Sequence, residues 1–423
     1  MVSVAVGAPT VSTWSGNPGD WVTDLRKASY LDQTGRYAEA QGIYDRILPI
    51  LGDTARLSES DILRAEFCND LAAHYHHLAR FAEAVPLYQQ AIAIWRQTPG
   101  VAAQRDLALA LGNLAALNRA QGRFPVAESL YREELALLEK VSGKQTRNYA
   151  IALNNFAELR RSEGDLANAE VLARDAVAIS TKVFDSHDEN LGVPMHTLAV
   201  TLSGQRKFEE ADRLLQQVID VWKATLGEEH PKVAVALGNL ADLRCEQGRY
   251  DEAEALSRQS LAIRRTAFGP GHPQVAVNLN NLGYLLRLRK DFAGAEASFQ
   301  EAIRIAENSM GLYHPELANF LANLGMLEAE RGRFPAAEGL LLRAVAITEK
   351  DFGPADTRTL MSRIQLAQVY QARGRLTAAE RIYRQALPLL DESTAAKDMR
   401  VERARGDYEK LLAATRGKSK RNS

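Results

Sequence analysis

A seven-letter phrase, G-[RK]-[YF]-x-x-A-E, recurs through the chain at a nearly constant interval. It reads GRYAEAQ from Gly35, GRFPVAE from Gly122, GDLANAE from Gly164, GRYDEAE from Gly248, GRFPAAE from Gly332 and GRLTAAE from Gly374. Weaker copies align on Ala79, Arg206 and Lys290. From Gly122 onward each step is 42 residues, after steps of 44 and 43. A fixed period of this length is the mark of a repeat architecture, in which each unit buries its apolar face only against its neighbours.

Within one period the pattern is that of two helices. Seven residues before the turn position the residue is always small: Ala28, Ala72, Ala115, Ala157, Ala199, Ala241, Gly283, Gly325 and Ala367. Five residues after it alanine stands in every copy, from Ala40 and Ala84 through Ala295 to Ala379. Small residues at matched phases let two helix axes approach closely. Leu279, Leu282 and Leu286 line one face of a first helix, and Phe292, Phe299 and Ile303 one face of a second.

Leu282-Gly283, the turn at Lys290-Asp291-Phe292, and then Ala295, Phe299 and Ala302 resemble the tetratricopeptide repeat in its own phase. The 42-residue form, with LNNLG and HP signatures, is similar to the repeats of kinesin light chains and of many bacterial scaffold proteins. The resemblance spans roughly residues 17–415. It implies an all-α fold: a right-handed superhelical α-solenoid of about nine helix-turn-helix repeats plus a C-terminal capping helix. HEAT and armadillo repeats have overlapping periods but do not account for the alanine phase together with the G-R-[YF] turn. The expected organisation is a flexible leader over 1–16, the repeat solenoid over 17–394, a capping helix over 395–415 and a basic disordered tail over 416–423. Sixteen leading residues are too few for the heptad coiled coil of a light chain, so a motor-adaptor role is not expected.

Composition narrows function by exclusion. The formal net charge is −1, which offers no general attraction to nucleic acid or an anionic membrane. Cys68 and Cys245 are too few for a disulfide framework and suit a reducing, cytoplasmic setting. No apolar run approaches a membrane span. No nucleophile motif, carboxylate pair or phosphate-binding loop is present, so the chain reads as non-enzymatic: no catalytic residue, no cofactor, no metal and no small-molecule substrate.

Eighteen residues before the turn position stand Asn17, Asp61, Gln104, Thr146, Asp188, His230, His272, His314 and Asp356, and Asp398 continues the series. Most are helix-capping types, and Pro231, Pro273 and Pro315 follow the histidines at the favoured first helical position. The histidines are therefore expected to start helices. Metal ligation is not expected, because equivalent positions in neighbouring repeats lie roughly 10 Å apart, too far for one zinc ion. His74, His76 and His77 are expected on an exposed helix. Cys68 is expected to be buried and inert, and Cys245 to be a free thiol on a phase that faces the groove.

The candidate binding residues recur nine residues before the turn: Asn113, Asn155, Asn239, Asn281 and Asn323. Asparagine is a mediocre helix former, so propensity does not explain the recurrence. Its amide both donates and accepts, which suits an extended peptide backbone, and one repeat step spans about three extended residues. In the family this phase lies on the concave face. Asn280, Tyr284 and Arg287 are further candidates, with Val235 and Val277 in an apolar floor. The lysines that the family uses to clamp a C-terminal carboxylate are absent, so chaperone-tail recognition is not expected. Copy five carries Gly192 and Pro194 where its first helix should run and lacks the asparagine, so the row should split into Asn113/Asn155 and Asn239/Asn281/Asn323. The expectation is a protein-interaction module that binds a protein or peptide partner in its groove, with oligomeric state left open. Two alternatives remain: a scaffold or regulatory subunit working through convex or edge surfaces, whose asparagines hold the stack together, and an accessory subunit of an enzyme complex.

Overall fold

The pairing of a buried alanine with a small residue across each turn is what builds the fold. The computed structural model describes residues 21–33, 36–52, 61–78, 80–186, 188–391 and 399–419. Ala40, Ala84, Ala127, Ala169, Ala211, Ala253, Ala295, Ala337 and Ala379 are all 0% exposed. Facing them, Ala28, Ala72, Ala115, Ala157, Ala199 and Ala367 are equally sealed. At Gly283 even a methyl group would not fit, since an added Cβ would lie 2.8 Å from the Phe299 ring.

The chain divides into two units, residues 1–225 and 226–423. The first contains the hairpins α1 (Trp21–Gln33) with α2 (Tyr37–Gly52), α3 (Asp61–His77) with α4 (Phe81–Gln97), α5 (Val101–Ala120) with α6 (Phe124–Ser142), and α7 (Arg147–Ser162) with α8 (Leu166–Val183). It also holds α9 (Gly192–Gly204) and α10 (Phe208–Leu226), in whose last turn the division falls. The second unit stacks α11 (Pro231–Glu246) with α12 (Tyr250–Phe268), α13 (Pro273–Leu288) with α14 (Phe292–Ser309), α15 (Pro315–Glu330) with α16 (Phe334–Phe352), and α17 (Thr357–Ala372) with α18 (Leu376–Asp391). Helix α19 (Met399–Ser419) packs on α18 and α17. Each unit is an all-α stack of helix-turn-helix repeats, and no strand occurs among the described residues.

The turns need a left-handed residue. Gly122, Gly164, Gly248, Gly332 and Gly374 have φ between 74° and 84°. Arg206 and Lys290 adopt φ of 62° and 65° at the same position without glycine's freedom. At Lys290 the geometry is a Schellman turn: Asp291 N–H donates to Leu286 O at 2.9 Å and Lys290 N–H to Arg287 O at 3.0 Å.

The His-Pro signatures start helices, as expected. Lys232, Gln274 and Glu316 N–H donate to Nδ1 of His230, His272 and His314 at 3.2, 3.1 and 3.2 Å. Asp356 accepts from Arg358 N–H at 2.9 Å in the same slot. Gln104 is not a cap: α5 begins at Val101 behind Gly100, so copy three starts four residues early. Asn17 and Asp398 lie outside the described residues, as do the leader over 1–16 and the last four positions of the expected tail. Residues 416–419 of that tail belong to α19.

The expected irregularity in copy five is present. Asp188 caps a 3-10 turn over Glu189–Leu191, and α9 follows with only 13 residues. Trp222 Nε1 donates to Glu189 O at 3.0 Å and fills the space beside Gly192, where an added Cβ would meet that nitrogen.

The glutamate that ends the recurring phrase joins one repeat to the next. Glu338 takes Arg373 at 2.8 Å, Arg375 at 2.7 Å and the Tyr370 hydroxyl at 3.0 Å. Glu170 takes Lys207 at 2.7 Å, and Glu296 takes Arg331 and Arg333. The exposed reading of HYHH is wrong for two of its three histidines. His74 is fully buried, with Nδ1 at 2.6 Å from Asp32 Oδ1 and Nε2 at 3.0 Å from Gln41 Oε1, and His76 is 7% exposed. Aromatic neighbours on α2 and α4 draw these rings inward. Burial pushes His76 down to about 4. No group of three or more His, Cys, Asp or Glu side chains among the described residues is placed to hold a metal ion.

Candidate functional site: the asparagine face

Asparagine ten residues before one turn meets asparagine nine residues before the next. Asn323 Nδ2 donates to Asn280 Oδ1 at 2.9 Å, and Asn113 Nδ2 donates to Asn69 Oδ1 at 3.2 Å. These are rungs between consecutive first helices, α13 to α15 and α3 to α5. Asn113 is 5% exposed and Asn280 9%, so both are largely committed to the stack. Where the first partner is glycine, the rung is absent. Gly238 precedes Asn281, and Asn281 is exposed with no side-chain bond among the described residues.

Asn281 borders a pocket of about 320 Å³. Its walls come from α11 (Gly238, Ala241, Asp242, Cys245), α12 (Ser257), α13 (Asn278, Asn280, Tyr284) and α15 (Asn323). Tyr284 is 42% exposed, with the Arg287 guanidinium 5.1 Å from its ring centre. Arg287 is itself held by Glu330 at 2.8 Å. Val235 and Val277 are half-buried, and Asn239 is half-buried on α11. Asn319, exposed on α15, belongs to the same face. It occupies the phase where Val235 and Val277 are apolar, and that break in the pattern is the sequence signal that would have found it.

The matching cavity in the first unit is nearly closed. It measures about 10 Å³ between α7 and α9, lined by Asn154, Asn155, Ser180, Val193 and Pro194, room for roughly one water molecule. Pro194 and Val193, from the irregular copy, fill the space beside Asn155. The other expected asparagines are therefore not equivalent: Asn281 opens onto a cavity, Asn155 onto almost none, and Asn113 and Asn323 are bonded to a neighbour.

Larger cavities of about 470 and 430 Å³ lie elsewhere. The first, beside Glu296, Glu328 and Pro335, has its charged groups already paired with Arg331 and Arg333. The second, beside Val85, Ile92, Leu111 and Leu130, is mostly apolar, and Arg96 at its edge pairs with Glu133. Neither is bordered by the asparagine phase that singles out Asn281.

Charge on the Asn281 pocket is acidic. Asp242 makes no ion pair among the described residues, and its carboxyl is pushed up to about 6 by desolvation and by Glu246, against the pull of Arg264. Asp242 keeps substantial accessible area although protein surrounds it, the environment of a concave wall. Cys245 is pushed up to about 11 by burial and the same two carboxylates, and Cys68 to about 11 by burial. Both thiols are thus protonated and inert at neutral pH.

The tetratricopeptide repeat family profile matches residues 61–140, 106–182, 148–224, 190–266, 233–308 and 316–392. The chain belongs to the tetratricopeptide repeat family. Repeats of this family form protein-interaction modules on a fold that is typically non-catalytic, and that is the coarse function of this tetratricopeptide repeat protein. Among solved structures, a putative kinesin light chain of Podosopora anserina with nearly identical repeats is 25% identical, with 47% of this chain and 94% of that one covered and a TM-score of 0.41. A Rap protein in complex with competence and sporulation factor is 17% identical over 93% of this chain and 99% of its own, with a TM-score of 0.54. The apo form of the quorum sensor NprR from B. thuringiensis is 14% identical over 88% and 98%, with a TM-score of 0.59. No curated protein matches the chain. No helix among the described residues is long and apolar enough to cross a membrane.

Proposed function

We infer that this tetratricopeptide repeat protein binds an extended peptide segment of a cytoplasmic protein partner along α11, α13 and α15, without catalysis. The observation that carries this reading is Asn281: an exposed amide with no side-chain partner among the described residues, beside an open pocket of about 320 Å³. An asparagine that costs helix propensity and has no side-chain bond among the described residues has its donor and acceptor available to a ligand backbone. Tyr284 supplies an exposed ring, and Val235 and Val277 supply apolar floor. Asn239 and Asn319 extend the same face by one repeat in each direction. Asn323 and Asn280 serve the site by fixing α15 against α13, and Arg287 by bracing Tyr284.

The scaffolding alternative has its own support in the Asn113–Asn69 and Asn323–Asn280 rungs. Both roles coexist on one face, divided residue by residue. The test is a pair of variants probed with peptides selected on the full-length chain. Asn281→Ala should weaken peptide binding and leave the melting temperature unchanged, whereas Asn113→Ala should lower the melting temperature without touching the site.

A further inference from the structure

The pocket beside Asn281 is lined by a carboxylate with no ion pair and by an amide whose oxygen has no donor among the described residues. Ser260 Oγ donates its one proton to Ala234 O at 2.7 Å. It must therefore accept from Asn278, whose Nδ2 lies 2.9 Å away. That chain fixes the Asn278 amide and leaves its Oδ1 as the free end. Asn278 is 5% exposed, lines the pocket, and its Oδ1 is buried with no donor in reach among the described residues. A buried acceptor without a donor is destabilising and uncommon. Asp242 lies across the same pocket, with no ion pair among the described residues. The Asn281 amide and the Ser257 hydroxyl complete the polar wall.

We propose that this pocket takes the cationic side chain, lysine or arginine, of the bound peptide. A cation with several N–H donors meets what the wall lacks: a charge for Asp242 and a donor for the exposed Asn281 amide oxygen, beside the sealed and unsatisfied Asn278 Oδ1. The charges around the pocket favour it. Asp242 and Glu246 face one buried cation, Arg264, whose Nη1 is engaged by Gln274 at 2.8 Å. Arg287 is neutralised by Glu330. The balance is one net negative charge at the pocket, in a chain whose overall net charge of −1 draws cations only weakly. Asp242 is exposed on α11, so its carboxylate is open to a ligand that enters the pocket. Gly238 lines the recess, and a Cβ added there would make only ordinary contacts, with Ser260 Oγ at 3.6 Å and Arg264 Nη2 at 3.9 Å.

The inference rests on the groove reading above, and one experiment separates them. Phage-displayed random dodecapeptides are selected on the full-length protein, and on its Asp242→Asn and Asn281→Ala variants. The expected result is a consensus with lysine or arginine fixed at one position on the wild type. That basic position disappears on Asp242→Asn, and affinity for a wild-type consensus peptide falls about tenfold or more, the loss of one charge-assisted bond. Replacing the basic residue of the peptide by its uncharged isostere should weaken binding to the wild type but not further weaken binding to Asp242→Asn. A reproducible consensus without a basic position, or unchanged affinity in Asp242→Asn, overturns the cation pocket and leaves the groove standing. Failure to select any peptide whose binding Asn281→Ala weakens overturns the groove and the pocket together.

Discussion

Asn323 donates to Asn280 at 2.9 Å across one repeat boundary, while Asn281, one residue along, faces outward with no side-chain bond among the described residues. Adjacent asparagines on one helix thus do different work. Removing the Asn323 side chain leaves a nearly buried acceptor unpaired. Asn323→Ala should cost about 1 kcal/mol, and Asn113→Ala a similar amount, whereas Asn281→Ala should stay within about 0.5 kcal/mol of wild type. Urea denaturation of the three variants checks this ordering; equal losses in all three would show that the asparagines form one uniform row.

The histidine caps carry a pH signature. His272 accepts a backbone N–H through Nδ1, which only the neutral ring can do. Burial and then Arg264 hold its pKa below the usual value of 6.5. The folded state therefore binds the proton less readily than the unfolded chain, so the contribution is complete above about pH 6.5 and declines as pH falls below it. His272→Asp keeps a cap of the Asp356 type and removes this titration. The stability difference between wild type and His272→Asp should shift toward the variant between pH 7 and pH 5. His272→Ala should cost about 1 kcal/mol at pH 8.

Arg206 and Lys290 hold left-handed turns where five other copies have glycine. Arg206→Gly and Lys290→Gly should each stabilise by up to about 1 kcal/mol, the strain relieved exceeding the added freedom of the unfolded chain. A lower denaturation midpoint in both would show that the turns are not strained.

Two helical glycines should respond oppositely to the same change. Gly283→Ala drives a Cβ into the Phe299 ring at 2.8 Å and should destabilise by about 1–3 kcal/mol. Gly238→Ala meets nothing closer than 3.6 Å and should stabilise α11 by up to about 1 kcal/mol. It should also weaken peptide binding by narrowing the pocket. Thermal melts of both variants decide the first part, and titration with a selected peptide the second.

The repeat, its helix pair, its turn and its caps were legible because each is set by a residue type at a fixed phase. Alanine five residues past the turn is sealed in all nine copies, and the His-Pro pairs start helices where the phase puts them. The division of labour among the asparagines was not legible, because it depends on the neighbouring repeat. Asn323 finds Asn280 across the boundary, while Asn281 finds Gly238. The burial of His74 escaped for the same reason: its partners Asp32 and Gln41 lie on α1 and α2. Glu338 and its counterparts were visible as letters of the phrase, yet their arginines belong to the next copy.

The most direct test of the central claim is calorimetric titration of one selected peptide into wild type, Asn281→Ala and Asn323→Ala, with a melting curve for each. A free, outward Asn281 predicts at least about tenfold weaker binding in Asn281→Ala at an unchanged melting temperature, together with a lowered melting temperature in Asn323→Ala. Unchanged affinity in Asn281→Ala, or a melting temperature lowered as far as in Asn323→Ala, would contradict it.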